Sequence, residues 1–304
     1  MRSTISIFVT LLLLISCKPK EKVDNRINYL IEFEAFQKIA TQPQIKLIDF
    51  RKPKQYNDGH IPSAINIWRS DIEDHAYPYK GMIAKKETIE QLFSALGIHP
   101  DDLLIVYDDN GLCDAARFWW VLQQYGHTNI RLLHGSYSGW KEQNGAVTTE
   151  KPEFSKTDFR FKNNASSKLY IGKEAVSTSL NTITIVDTRT PDEFSGKRQK
   201  KGAFKGGRVP TSISINWTSA IDYHNKKRMR PINELDSIYG ARLPSKKDPI
   251  IVYCHTGVRS AHTIFVLTQL LGYENVKNYD GSWSEWSYFN DLPFEQDSIT
   301  TILK

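Results

Sequence analysis

Ile250-Ile251-Val252-Tyr253-Cys254-His255-Thr256-Gly257-Val258-Arg259 is the stretch on which the reading of this chain turns. Its first four residues are apolar or β-branched with no polar alternation, the pattern of a strand buried on both faces of a parallel sheet. Beyond the stretch, Ala261, Ile264, Phe265, Thr268 and Leu271 recur at three- and four-residue spacing and Gly272 supplies a stop, which predicts a helix. Between strand and helix a cysteine ends the strand, and the chain turns through Gly257 into the helix N-terminus. Backbone N–H groups left unpaired by the helix converge there, and the helix dipole adds positive potential, so the turn is an anion cradle. Such surroundings lower a thiol's pKa from its free value of about 8.5 and populate the nucleophilic thiolate. Arg259 adds a fixed charge.

Working outward, the stretch has a second copy upstream. Leu104-Ile105-Val106-Tyr107 matches Ile250-Ile251-Val252-Tyr253, and Gly135-Ser136-Tyr137-Ser138-Gly139-Trp140 matches Gly281-Ser282-Trp283-Ser284-Glu285-Trp286. Earlier in each half, Leu47-Ile48-Asp49-Phe50-Arg51 pairs with Ile185-Val186-Asp187-Thr188-Arg189, and Ile61-Pro62-Ser63-Ala64-Ile65 with Val209-Pro210-Thr211-Ser212-Ile213. The offset is 138 residues from Leu47 to Ile185 but 146 from Leu104 to Ile250 and from Gly135 to Gly281. The second copy therefore carries an insertion, placed within Lys197-Arg198-Gln199-Lys200-Lys201-Gly202. A period this long means duplicated domains rather than a solenoid, and strands alternating with helical patterns mean an α/β fold with a mainly parallel sheet flanked by helices in each copy.

The copies differ at the loop. Aligning Tyr107 with Tyr253 puts Asp108 at the place of Cys254, Gly111 at that of Gly257 and Cys113 at that of Arg259. The first copy is expected to be catalytically silent, to repel the anions the second attracts, and to shape or cover the second copy's site. Cys113 reads as a packed or free thiol.

Taken together, the Asp-x-Arg strand end, the Gly59-His60-Ile61-Pro62-Ser63-Ala64 turn, the Cys-x-x-Gly-x-Arg loop and the Gly-Ser-x-x-x-Trp ending resemble the rhodanese family. The arrangement resembles its tandem members, in which a silent N-terminal domain precedes an active one. The resemblance implies sulfur transfer: Cys254 attacks a sulfane donor such as thiosulfate, holds the sulfur as a persulfide and passes it to cyanide or a thiol. It implies His255, Thr256, Gly257, Val258 and Arg259 as the persulfide loop, Asp187 and Arg189 as residues beside the site, and no metal or organic cofactor. On chemistry alone, Arg259 and Arg189 are suited to pair with the anionic end of the donor, and no general base is needed if the thiolate is already populated. His255 reads either as a substrate contact or as a solvent-facing loop residue. One departure is Gly206-Gly207-Arg208-Val209-Pro210, where the family has Gly-His-Ile-Pro, which puts that turn in question. A mercaptopyruvate donor is the nearest alternative, but such loops resemble Cys-Gly-Ser-Gly-Val, with small residues in place of His255 and Thr256. A cysteine phosphatase would place five residues between Cys and Arg rather than four. A non-enzymatic sulfur carrier is the alternative from another class.

The rest of the chain sets the context. Residues 1–16 carry Arg2 and an apolar run from Ile5 to Ile15, too short to span a bilayer but fitting a secretory leader. Leu14-Ile15-Ser16-Cys17 resembles a bacterial lipoprotein processing site, so Cys17 is expected to carry a lipid and to hold the exported protein on a membrane of the bacterial cell envelope. Residues 17–27 then form a tether, 28–147 the silent domain, 148–168 a polar linker and 169–304 the catalytic domain. Forty Lys plus Arg against 34 Asp plus Glu give a net charge of only +6, no electrostatic case for nucleic acid. The expected partners are a small anionic sulfur donor, a thiol or cyanide acceptor, and a membrane through the lipid.

Overall fold

The computed structural model describes residues 29–163, 166 and 168–297. The leader, Cys17 and the tether lie outside the described residues. Each copy forms one five-stranded sheet in which every pairing is parallel. The first contains β1 (Leu30–Ile31), β2 (Ile45–Asp49), β3 (Ile65–Asn66), β4 (Leu103–Tyr107) and β5 (Ile130–Leu133), in the order β1-β5-β4-β2-β3. The second contains β6 (Tyr170–Ile171), β7 (Thr184–Asp187), β8 (Ile213–Ser214), β11 (Ile250–Tyr253) and β12 (Val276–Tyr279), in the order β6-β12-β11-β7-β8. A ribbon of β9 (Ile221–Asp222) and β10 (Arg228–Met229) lies apart from both sheets. The apolar runs β4 and β11 are the central strands, as their lack of alternation requires.

Register puts Tyr107 opposite Asp49 and Tyr253 opposite Asp187, and the same strut closes each copy. Arg189 donates through Nε and Nη2 to the Asp187 carboxylate, at 3.0 and 2.6 Å, and through Nη2 to the Gly207 carbonyl at 2.7 Å. Tyr253 Oη donates to Asp187 at 2.7 Å while accepting from the Val209 N–H at 3.1 Å. Arg51, Asp49, Gly59, Tyr107 and the Ile61 N–H repeat this arrangement in the first copy. The guanidinium of Arg189 also lies over the rings of Tyr253 and Trp283. Asp187 and Arg189 thus tie two strand ends to the turn that follows, and Arg189 does this from a position only 2% exposed. The expectation that Arg189 meets the donor is replaced by an internal clamp, present equally in the copy that lacks the nucleophile.

The departure at Arg208 leaves the turn intact. His60 bonds the Tyr56 carbonyl and stacks on its ring; Arg208 donates to the Phe194 carbonyl and lies over the Phe194 ring. Gly59 and Gly207 share positive φ, as do Ser63 and Thr211.

The helices that follow the central strands, Cys113–Gln124 and Val258–Phe265, pack on one another, and Trp119 meets Phe265 edge to face at 5.0 Å. One apolar core therefore runs through both copies, from Ile48, Val106 and Trp119 to Phe265, Val252 and Val186. The helical pattern predicted through Leu271 is met as α-helix only to Phe265; Val266–Leu270 is π-helical, with Leu271 N–H bonding the Val266 carbonyl. The Thr268 hydroxyl donates to the Ile264 carbonyl at 2.7 Å, competing for the acceptor the regular ladder would use. The segment 148–168 does more than link, since Phe159 and Phe161 are buried against Phe93.

The copies also exchange arms about an approximate two-fold. The Ile83 N–H bonds Asp280 at 2.8 Å, and 146 residues later the Met229 N–H bonds His134, the residue equivalent to Asp280, at 3.2 Å. By the same exchange, Gly81 of the first copy lies against Thr256 and Lys227 of the second copy reaches Asp109.

Candidate active site

Cys254 follows the last residue of β11 and is 1% exposed. Three features of local sequence shape its loop. Gly257 adopts φ +74, and a Cβ there would stand 2.6 Å from the Asp280 carbonyl oxygen and 2.8 Å from Arg117 Nη1, so no other residue fits. Ser282, itself in the left-handed region at φ 52, accepts at Oγ from the N–H groups of Cys254 and Gly257, both at 3.1 Å, and donates to the Tyr279 carbonyl at 2.8 Å. The Thr256 N–H of the loop and the Ser260 N–H in the first turn of the helix that begins at Val258 reach the sulfur. Ser260 contributes a hydroxyl to Sγ at 3.5 Å.

The electrostatics favour a thiolate. Burial pushes the Cys254 pKa up, but Arg259, the Ser260 hydroxyl and the N–H groups of Ser260 and Thr256 outweigh it and hold the thiol below its ordinary value. Arg259 is fixed by two bonds to Glu193, at 2.7 and 2.9 Å. Burial raises the Glu193 pKa, yet these bonds bring it down to about 2. Two further cations feel the Cys254 charge: Arg69, which reaches from the first copy and pairs with Asp114, and Lys200 of the insertion. His255 is neither exposed nor charged at neutral pH. It is 5% exposed, its Nε2 lies 3.1 Å from the Lys201 carbonyl, and its pKa is lowered to about 4 by burial and then by Lys200 and Arg259.

The first copy keeps the cradle and fills it from within. Asp108 Oδ1 accepts from the N–H groups of Asn110 and Leu112 at 2.9 and 3.0 Å, and Oδ2 from those of Asp114 and Ala115 at 2.8 and 3.0 Å. The loop's donors are taken up by its own carboxylate, whose negative charge faces any external anion. Asn110 and Asp114 are equivalent to Thr256 and Ser260, whose N–H groups serve Cys254. Cys113 is fully buried against Val258, Trp217 and Ile221, and burial, with Asp114, raises its thiol well above the usual range.

Sequence reasoning therefore located Cys254, its loop and Arg259, and the structure brings these together. It missed Arg69, Lys200, Glu193, Ser260 and Ser282. The repeat offset marked the insertion that carries Lys200, and the Gly-Ser-x-x-x-Trp repeat marked Ser282. Arg69 had no signal, because its approach depends on how the copies dock. Among the described residues, no group of three His, Cys, Asp or Glu is placed to hold a metal.

Comparison with known proteins agrees with this geometry. The Rhodanese-like domain family matches twice, at residues 32–143 and 173–288. The putative thiosulfate sulfurtransferase of Saccharopolyspora erythraea is 35% identical over 79% of this chain and 86% of its own. The thiosulfate sulfurtransferase of Corynebacterium glutamicum is 33% identical over 85% and 87%, and the 3-mercaptopyruvate sulfurtransferase of Escherichia coli 30% over 83% and 92%. The crystal structure of the Escherichia coli 3-mercaptopyruvate sulfotransferase SseA superposes with a TM-score of 0.75 at 27% identity, covering 84% of this chain and 99% of that one. The chain belongs to the rhodanese family, with two domains in tandem. Its activity is that of a rhodanese-type sulfurtransferase.

Proposed function

We propose that Cys254 is the nucleophile, thiosulfate the donor, and cyanide or a thiol the acceptor. The observation that carries this reading is a cysteine buried at the end of the central strand, with the Ser260 hydroxyl on its sulfur, its loop pinned by Ser282, and Arg259 held in place by Glu193. The Cys254 thiolate attacks the outer sulfur of thiosulfate. A new S–S bond forms, the S–S bond of thiosulfate breaks, and sulfite leaves with the electron pair. An incoming cyanide or thiolate then attacks the outer sulfur of the persulfide and Cys254 departs as thiolate, so the cycle needs no net redox partner. The persulfide is an anion, and donors that stabilise the thiolate stabilise it too. Lys200 and Arg69, whose side chain keeps about a third of its surface exposed beside Asp114, are the cations suited to the sulfonate end, since Arg189 is buried on Asp187. His255, neutral and held by the insertion, orders the loop rather than moving a proton. The names of two thiosulfate-acting relatives favour thiosulfate, as does a loop with His255 and Thr256. Turnover of thiosulfate with cyanide should vanish in Cys254→Ser; full activity in that variant would overturn the assignment.

We also propose that the chain is exported and anchored by a lipid on Cys17 to a membrane of the bacterial cell envelope, on the periplasmic or surface side. The support is the apolar run and the Ser16-Cys17 junction. Cys17→Ala should move the protein from the membrane to the soluble fraction, and unchanged membrane association would remove the anchor from the account.

A further inference from the structure

The silent copy reaches the loop of the catalytic copy through one buried arginine. Arg117 lies in the helix Cys113–Gln124 with a side chain only 3% exposed, and its Nη1 is 2.7 Å from Asp280 Oδ1. Nη1 also donates to the Gly257 carbonyl at 3.4 Å and Nη2 to the Gly81 carbonyl at 2.7 Å, while the guanidinium lies over the Trp120 ring at 4.7 Å. Asn278 Nδ2 at 3.2 Å and the Ala261 N–H at 3.3 Å also donate to the Gly257 carbonyl. The other Asp280 oxygen accepts from the Ile83 N–H.

A trans peptide points its carbonyl and its N–H in opposite directions. Holding the Gly257 carbonyl toward Arg117 and Asn278 therefore aims the Val258 N–H the other way. The silent copy shows what lies there: in the equivalent peptide, Gly111–Leu112, the Leu112 N–H donates to Asp108 Oδ1 at 3.0 Å. Gly111 and Gly257 share positive φ, 62 and 74, so the two peptides present the same face. A cysteine persulfide and an aspartate side chain both carry two acceptor atoms beyond Cβ. Of the four counterparts of the Asp108 donors, the N–H groups of Thr256 and Ser260 serve Sγ and that of Ala261 turns to the Gly257 carbonyl at 3.3 Å, which leaves that of Val258 for the outer sulfur.

We infer that Arg117 is a positioning residue for sulfur transfer, holding the Gly257–Val258 peptide so that the Val258 N–H points at the outer sulfur of the Cys254 persulfide. The inference rests on the persulfide reading above. The duplication supplies an internal contrast, because the position equivalent to Arg117 in the catalytic copy is Thr263. The arginine is present only in the helix that faces the reactive loop. A silent domain with this contact is part of the machinery of its neighbour.

The test uses the full chain and two variants. Arg117→Met with Asp280→Asn removes both charges together, avoiding a lone buried ion, and the asparagine oxygen still accepts from the Ile83 N–H. Arg117→Lys keeps the pair with Asp280 but loses the fork that spans Gly81 and Gly257, and it carries the test should the double variant not fold. Deleting an oxyanion donor costs about 10²–10³ in kcat; here the donor is misaligned rather than removed, so kcat should fall about tenfold with KM within about twofold. The persulfide on folded protein should also decay severalfold faster in the absence of acceptor, followed by mass spectrometry. Unchanged kcat and persulfide lifetime, a change confined to KM, or a loss that only tracks the folded fraction would each overturn the role. Cys254→Ser, run alongside, separates the cases: activity there sinks the sulfurtransferase assignment itself, whereas an inactive Ser variant beside fully active Arg117 variants sinks only this inference.

Discussion

Replacing Glu193 with glutamine removes the carboxylate that fixes Arg259 while leaving an acceptor for Thr190, whose hydroxyl and N–H both reach Glu193. Glu193 is buried, and its pKa drops from 4.5 to about 2 because the bonds to Arg259 overcome the burial that pushes it up. A shift of roughly 2.5 units at about 1.4 kcal/mol each corresponds to about 3.5 kcal/mol. The folded pKa is depressed, so this stability is fully present above the unfolded value near 4.5 and is lost as pH falls through about 2. The variant should melt about 7–14 °C below wild type at pH 7, taking roughly 2–4 °C per kcal/mol, the figure for large domains. At pH 3 less than half of the difference should remain. With the carboxylate gone, Arg259 is opposed chiefly by the Cys254 thiolate, so the pH midpoint for alkylation of Cys254 should fall. Equal melting at pH 7, a gap that does not narrow at pH 3, or a midpoint that rises would refute the reasoning.

Four other outcomes follow from the geometry. Ser260→Ala deletes the hydroxyl at Sγ and should raise the Cys254 alkylation midpoint by about half to one unit, the equivalent of about 1 kcal/mol, with little change in rate well above it. Arg189→Met strands the buried Asp187 and should cost about 3–5 kcal/mol of stability by thermal or urea melts, with the donor KM of the surviving folded enzyme unchanged; a rise in KM alone would restore Arg189 as a donor contact. Gly257→Ala, forced against Asp280 and Arg117 at positive φ, should lose turnover by at least tenfold even where the protein remains folded. Because His255 is held neutral with a pKa near 4, kcat plotted against pH should rise with Cys254 ionisation and show no second inflection between 5 and 8; a limb in that window that disappears in His255→Asn would assign the imidazole a proton-transfer role.

What the sequence disclosed and what it hid divide along a physical line. The strand Ile250–Tyr253, the turn at Gly257 and the helix after it are written in contiguous residues, so periodicity and glycine placement suffice to read them. The duplication was legible because four motifs recur in order, and the change of offset located the insertion that carries Lys200. Asp187 and Arg189 were visible as a motif, but their purpose depends on Gly207 and Tyr253, which meet them only through strand register, and so an internal clamp read as a donor contact. Asp108 was legible as a charge, but its place as the internal occupant of the backbone donors depends on loop geometry that the sequence does not spell out. Arg208 looked like a departure, yet the longer side chain reaches the Phe194 carbonyl and ring as His60 reaches those of Tyr56. Arg69 and Arg117 approach from the other copy, through contacts that no local pattern records.

The central claim is that sulfur resides covalently on Cys254 between donor and acceptor. Intact-mass and peptide-mass measurement of the full chain after brief exposure to thiosulfate tests it most directly. The account predicts a gain of one sulfur atom on the peptide bearing Cys254, none on Cys113, and its removal by cyanide with release of thiocyanate. An unmodified Cys254 under conditions of turnover, or the added sulfur on Cys113, would contradict it.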